Sequence, residues 1–284
     1  MVTLTDYGKF ETAWCPGCGN FSILEAVKKA LVDQDLAPHQ VLFVSGIGQA
    51  AKAPHYLRAN VFNGLHGRAL AAATGAKLAN PNLKVIVESG DGCGYGEGGN
   101  HFLAGIRRNI GVTCLVHDNQ VYGLTKGQAS PTSPLGFVTK AQPFGVYNQP
   151  FNPVAAAVGL KAGFVARGFS GDVDFLAGLI KEAMNFRGFA LVDILQPCVS
   201  FNKVNTFAWY KKRCRPLPAD YDPADWAAAL QTAHQWGDVI PLGVIYRNQE
   251  RPPLEDILPG LKKGPLVGRG VDRAILSEIM AEFE

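Results

Sequence analysis

The residues best equipped for chemistry lie in a glycine-rich stretch, "VESGDGCGYGEGGN" at 87–100, and in "HDNQVYG" at 117–123. The first follows an apolar run and precedes a helix-like one, where a backbone loop commonly cradles phosphate. Gly94, Gly96 and Gly99 spell G-x-G-x-x-G, and Asp118 follows about 20 residues on, so a dinucleotide site is one reading. Two features count against it. Gly90-Asp91-Gly92 is inserted before the fingerprint begins, and a carboxylate in that turn repels a pyrophosphate unless a cation lies between them. No G-x-x-x-x-G-K-[ST] occurs. A second reading pairs Asp91 with Asn119 at the next strand end. Their side-chain oxygens and a backbone carbonyl beyond Asn119 give three hard ligands; two diphosphate oxygens and a water complete an octahedron around Mg²⁺. A third leaves both residues as simple turn formers. Cys15 and Cys18 form C-x-x-C, for which zinc and an iron–sulfur cluster are the alternatives.

These residues need a scaffold that brings distant loops together. Helical spacing predicts helices over Phe21–Asp33, Ala69–Leu78, Phe102–Arg108, Val154–Val158 and Val173–Asn185. Short apolar runs predict strands at Val41–Ser45, Val85–Glu88, Val112–His117, Phe164–Arg167 and Ala190–Leu195. The alternation indicates an α/β fold, a parallel sheet with helices on both faces. Sites in such sheets lie beyond the carboxyl ends of the strands, so "SGIGQ", "SGDGCGYG" and "HDNQVYG" are expected on one edge. From about Pro216 the sequence turns rich in Pro, Trp and charge. We therefore divide the chain into a cofactor-binding domain with a cysteine loop, 1–215, and a C-terminal extension, 216–284, packed on that domain or on another subunit.

The 284 residues are 47% hydrophobic, enough for a large core, and the net charge of +3 is spread along the chain. The basic runs Lys211-Lys212-Arg213-Cys214-Arg215 and Lys262-Lys263 are short and lack repeating aromatics, which argues against nucleic-acid binding. The opening residues do not form a basic region followed by an apolar core, and no run approaches the roughly 18 apolar residues of a membrane span. The expectation is a soluble, cytoplasmic protein whose six cysteines are thiols or metal ligands.

"WCPGCGN", "SGIG", "GLHGRA", "SGDG", "GGNHF", "RRN", "DNQVYGLTKGQ" and "SPTSPLG" follow one another as in β subunits of 2-oxoacid:ferredoxin oxidoreductases. The chain resembles that family over roughly residues 10–215, and especially its branch acting on 2-oxoglutarate and broad 2-oxoacids. The resemblance implies the thiamine diphosphate-binding fold, with the cofactor held through Mg²⁺ by Asp91, Asn119 and the Val121 carbonyl. Gly90, Gly92, Gly123 and Leu124 would bring backbone close to the diphosphate, and Ile47 and Gly48 would lie along the thiazolium. His66 would sit near the reacting carbon, against the alternative that it caps a turn. Lys126 would meet the substrate carboxylate, against the alternative of a solvent-facing loop lysine. Cys15, Cys18 and Cys198 would ligate a 4Fe–4S cluster, and coenzyme A would take the acyl group. No glutamate in the matched motifs suits the aminopyrimidine; the family places that group on the α subunit. The implied partners are that α subunit, in a heterodimer or a dimer of heterodimers, and ferredoxin, whose potential would set the direction.

One position departs from the family. Its fourth cluster ligand lies in "SGIGC", whereas this chain reads "SGIGQ", with Gln49 at that place in the cofactor loop. Cys93 is a candidate replacement; otherwise the cluster has an unusual corner, has three irons, or is absent. Two other readings stay open: a non-redox thiamine diphosphate decarboxylase or synthase subunit, and a non-catalytic cofactor-binding scaffold. Cys114 reads as core, and Cys214 has no assigned role.

Overall fold

The computed structural model describes residues 1–270 and 273–283; Val271, Asp272 and Glu284, all within the stretch read as an extension, lie outside the described residues. The apolar runs pair into one sheet. Its strands are β1 (Val41–Ser45), β2 (Asn60–Asn63), β3 (Lys84–Gly90), β4 (Thr113–Asp118), β7 (Phe164–Phe169), β8 (Ala190–Leu195), β9 (Cys214–Pro216) and β10 (Ile240–Arg247). Their order is β2-β1-β3-β4-β8-β7-β10-β9. A separate ribbon joins β5 (Val121–Tyr122) to β6 (Gln128–Ala129). The first six strands of the sheet run parallel, β10 runs antiparallel to β7, and β9 runs parallel to β10.

Helices cover both faces. They are α1 (Gly19–Asp33), α2 (Ala69–Ala79), α3 (Gly99–Arg108), α4 (Pro153–Gly159), α5 (Val173–Asn185), α6 (Phe207–Arg213), α7 (Trp226–His234), α8 (Leu254–Ile257) and α9 (Arg273–Ala281). Side chains of successive strand residues point to opposite faces. Val85, Val87, Cys114, Val116, Val165 and Leu191 therefore pack beneath α2, α3, α4 and α7, with Ala69, Phe102, Val154 and Ala229. Ile86, Leu115, Ala166, Val192 and Ile194 pack beneath α1 and α5, with Ile23, Leu31, Leu176 and Ile180. Burial on both sides is why these strands read as continuous apolar runs rather than alternating ones.

The expected helices and strands are all present, with ends that differ by a few residues. The sequence reading overlooked the sheet's margins. β2 is exposed along its length, so "NVFN" offers no apolar run. The segment after Pro216 is woven into the fold: β10 lies against β7, and α7 packs on α4. Its strand "IPLGVIYR" contains a proline and a glycine, which disguised it.

Register sets the functional edge. Ser45 pairs with Glu88, Gly90 with His117, and Asp118 with Leu195. The loops beginning at Gly46, Asp91, Asn119 and Gln196 thus leave the sheet side by side.

Phe189 is fully buried and packs edge-on against Phe102 across this core. Phe189→Ala is expected to lower unfolding free energy by about 3–5 kcal/mol, measured by denaturant titration. A loss below about 1 kcal/mol would contradict the packing described.

Candidate active site

At that edge the structure brings together most of the residues singled out in the sequence. Ile47, Gly48, Gln49, His66, Gly90, Asp91, Gly92, Cys93, Asn119, Val121, Gly123 and Leu124 line one cleft of about 480 Å³, mouth included. Asp91 starts a tight turn, and Gly92–Glu97 continues it as a π-helical segment before α3. Gly92 is required by close approach: a Cβ there would lie 2.2 Å from the Tyr122 ring.

The Asp91 carboxylate is 1% exposed and has no ion pair among the described residues. Its Oδ2 accepts hydrogen bonds from Ser130 Oγ at 2.5 Å and Thr132 Oγ1 at 2.7 Å. Thr132 Oγ1 also lies 2.8 Å from Asp118 Oδ1. One hydroxyl has one hydrogen, so only one of these carboxyls can receive it. Burial, with the nearby Asp193 and Asp91 charges, raises the Asp118 pKa well above the usual carboxylate range. Thr132 Oγ1 thus stands as the one hydroxyl between two buried carboxyls. Burial also pushes Asp91 upward against its hydrogen bonds. A divalent cation beside it would reverse that penalty.

Asn119 faces the same cleft. Its Oδ1 accepts from Val121 N at 3.0 Å, which closes the turn, and its Nδ2 donates to Gln196 Oε1 at 3.2 Å. Gln49 Oε1 is buried in the cleft wall without a partner, and its side chain lies against Gly123. The residues therefore fit a diphosphate bound through a hard cation: a buried carboxylate lacking positive charge, an amide oxygen, an orphaned acceptor, and glycines where the chain must come close.

His66 Nδ1 lies 3.1 Å from Glu97 Oε2, in ion-pair contact but without the alignment of a hydrogen bond. Tyr122 Oη donates to the same oxygen at 3.2 Å. Lys126 stands just outside the cleft lining, exposed and with φ +73°, and its amino group makes no hydrogen bond or ion pair among the described residues. The sequence reading gave no role to Glu97, Tyr122, Ser130, Thr132 or Gln196. "SPTSPLG" carried the signal for two of them, but only the fold reveals that its hydroxyls reach Asp91.

Cys15, Cys18 and Cys198 meet at the neighbouring loops. Burial raises the Cys18 thiol to about 11, Asn20 N–H opposes this, and the Cys198 and Cys15 charges add to it. Gln196 Nε2 donates to Cys18 Sγ at 3.3 Å, and Ser200 Oγ donates to Cys15 Sγ at 3.1 Å. Among the described residues no three His, Cys, Asp or Glu side chains close around a single ion. Two of these neighbouring but separate thiols, Cys15 and Cys18, receive hydrogen bonds, and the three fit separate corners of a multi-iron group rather than one zinc. Cys93 is placed differently: its buried Sγ accepts from Gly67 N at 3.1 Å and packs against Gly46 in the cleft wall.

Comparison with known proteins agrees with this geometry. Residues 40–194 match the family described as "Thiamine pyrophosphate enzyme, C-terminal TPP binding domain". Residues 198–263 match the family for the C-terminal part of the pyruvate ferredoxin oxidoreductase beta subunit. The chain is 45% identical to a Sulfolobus 2-oxoacid:ferredoxin oxidoreductase subunit beta, over 86% of this chain and 84% of that one. It is 47% identical to subunit beta of 2-oxoacid:ferredoxin oxidoreductase 1 from Aeropyrum pernix, over 86% and 79% respectively. The chain belongs to the β subunits of the 2-oxoacid:ferredoxin oxidoreductases. A solved 2-oxoglutarate:ferredoxin oxidoreductase from Magnetococcus marinus, with 2-oxoglutarate, coenzyme A and succinyl-CoA bound, superimposes with a TM-score of 0.90 at 36% identity. The match covers 97% of this chain and 96% of that one. The family resemblance and the α/β fold expected from the sequence are both borne out, and this β subunit is part of an enzyme. No helix among the described residues is long and apolar enough to cross a membrane.

Thr132→Val removes the hydroxyl shared by Asp91 and Asp118 and is expected to cost about 1–3 kcal/mol of stability, whereas Thr132→Ser retains it. Thermal unfolding of the two variants side by side checks this; equal losses would show that the hydroxyl is not what matters.

Proposed function

We propose that this β subunit, joined to an α subunit, carries out coenzyme A-dependent oxidative decarboxylation of a 2-oxoacid, with 2-oxoglutarate foremost. A 4Fe–4S cluster, when bound, would supply the path for electrons to ferredoxin. The reading is carried by one observation: a buried carboxylate without an ion pair among the described residues and three neighbouring thiols open on the same sheet edge. The Magnetococcus relative, with its bound 2-oxoglutarate and coenzyme A, supports the choice of substrates.

Asp91, Asn119 Oδ1 and the Val121 carbonyl would hold Mg²⁺, while Gly90, Gly92, Gly123 and Leu124 present backbone to the diphosphate and Ile47 and Gly48 flank the ring. When bound, thiamine diphosphate supplies the electron sink for the 2-oxo carbon. Glu97, itself held by Tyr122, stands beside His66 Nδ1, and Nε2 would hold or move a proton. Lys126, on a mobile stem at the cleft mouth, would meet the substrate carboxylate as a point charge. Cys15, Cys18 and Cys198 would hold three corners of the cluster. Around the cleft, Ile47, Phe62, Leu65 and Leu124 are exposed. This apolar rim suits burial by the α subunit, which would also bring the aminopyrimidine carboxylate. The end of the extension, beyond α8, would pack on that complex.

The test is co-expression with the α subunit without oxygen, followed by iron and acid-labile sulfide counts and assay with 2-oxoglutarate, coenzyme A and a dye acceptor. About four irons and four sulfides, with dye reduction matching CO₂ release, are expected. Gln49 favours one rival, a non-redox decarboxylase, and CO₂ release without iron or dye reduction would establish it. Asp91→Ala should lose Mg²⁺-dependent cofactor retention and activity together. An assembled complex with neither to lose would mean a scaffold. Lys126→Gln should raise KM for the 2-oxoacid about tenfold, a loss of roughly 1.4 kcal/mol, and an unchanged KM would remove Lys126 from the substrate site.

A further inference from the structure

Gln196 is 1% exposed and lies between the two halves of the site. It is the first residue after β8, and its backbone N–H donates to Asp118 O at 2.9 Å, which holds it in register with the loop that carries Asn119. One end of its carboxamide accepts from Asn119 Nδ2 at 3.2 Å; the other donates to Cys18 Sγ at 3.3 Å. The orientation is forced. Asn119 uses Oδ1 to accept from Val121 N, so only its amino group can face Gln196. Gln196 must answer with its oxygen, and its own amino group is left for the sulfur.

The neighbouring sequence makes room for this bridge. Gly19, directly after Cys18, opens α1, and a Cβ there would meet Gln196 Cγ at 2.7 Å and Ser170 Oγ at 2.8 Å. Any side chain at position 19 would take the space of the bridging carboxamide.

We propose that Gln196 is a positioning residue that couples the metal–diphosphate half of the site to the cluster half. The inference rests on the function proposed above, in which Asn119 is a metal ligand and Cys18 a cluster thiolate. By accepting from Asn119 Nδ2, Gln196 turns Asn119 Oδ1 toward the metal. By donating to Cys18, it withdraws charge from the sulfur, a recognised control on cluster potential. One buried side chain thereby ties the grip on the cofactor to the ease of reducing the cluster beside it.

Gln196→Glu separates the two arms. A carboxylate still accepts from Asn119 but has no hydrogen to give to Cys18, and its charge disfavours the reduced cluster. In the αβ complex prepared without oxygen, retention of thiamine diphosphate with Mg²⁺ should stay within about twofold of wild type. The cluster midpoint, followed by electron paramagnetic resonance during a redox titration, should fall by a tenfold change in the reduction equilibrium, about 59 mV for one electron. Gln196→Leu loses both arms and should weaken cofactor retention about tenfold while also lowering the midpoint. Gly19→Ala keeps the glutamine and takes its space, so its midpoint should move the same way.

A full cluster with the same midpoint in Gln196→Glu and in wild type would overturn the coupling, as would unchanged cofactor retention in Gln196→Leu. Near-zero iron in the wild-type complex would instead overturn the cluster reading, and the coupling with it. Gln196→Glu is nearly isosteric with the native residue, and its iron and sulfide counts verify that the folded site is intact before the potential is read.

Discussion

The architecture of the edge follows from one constraint, the placement of a carboxylate where water cannot reach it. Asp91 is buried at the carboxyl end of β3, where an ionised group without a counter-charge is strongly disfavoured. The protein meets part of that cost with two hydroxyls, those of Ser130 and Thr132, the second shared with the neighbouring acid Asp118. Hydrogen bonds alone leave the charge uncompensated. A cation there would supply the rest of the compensation, and one with spare coordination positions could hold phosphate oxygens. Such a site would bind a diphosphate through the metal rather than through lysines, which fits a glycine loop that has no P-loop lysine.

The parallel sheet makes the arrangement possible because each strand ends at nearly the same level. β1, β3, β4 and β8 deliver Gly46, Asp91, Asn119 and Gln196 to adjacent exits, and α1 begins close by at Gly19. Below that level the core is apolar, with polar exceptions just under the edge. Glu88, His117 and Asn20 form one such chain, with contacts of 2.6 Å and 2.7 Å, all buried. It joins β3 and β4 to the first turn of α1. With both imidazole nitrogens engaged, the ring and the helix start are held together directly after the Cys15–Cys18 loop. On the other face, Tyr95 donates to Asp193 at 2.7 Å, beside the buried Arg167. Each face thus carries its own polar tie beneath the loops, and the ties stiffen the strand ends that present them.

Much of this was legible in the chain because the chemistry required unusual residue types. Gly90-Asp91-Gly92, Asn119 and the cysteine pair stand out against apolar strands, and alternating helix and strand periods placed them on one edge. Less visible was everything that depends on partners distant in sequence. Ser130 and Thr132 look like ordinary loop hydroxyls until the fold puts them on Asp91, and Gln196 looks like a strand-end polar residue until Asn119 and Cys18 appear on either side. Glu97 reads as one more residue of the glycine-rich stretch until the fold sets it, half-exposed, beside His66. β10 was missed for a different reason: a strand that joins the sheet late, antiparallel, with Pro241 and Gly243 inside it, has neither the period nor the composition of the others.

The same logic shows why the form of the cleft does not depend on the Gln49 side chain. The backbone carbonyl of Gln49 accepts from Trp14 Nε1 at 2.8 Å, so the loop after β1 is fastened to the segment that leads into Cys15 whatever side chain stands at position 49. Trp14 is itself held edge-on by Phe21 and Tyr56. The main chain therefore fixes the loop, and the side chain is free to vary in chemistry. Here it places an amide oxygen in the cofactor cleft, where it has no partner among the described residues. A thiolate at this position would add negative charge at the meeting of the two half-sites. The glutamine instead presents a neutral acceptor to the cleft, so the side chain at this position sets the electrostatics of the site while the backbone keeps the loop fastened.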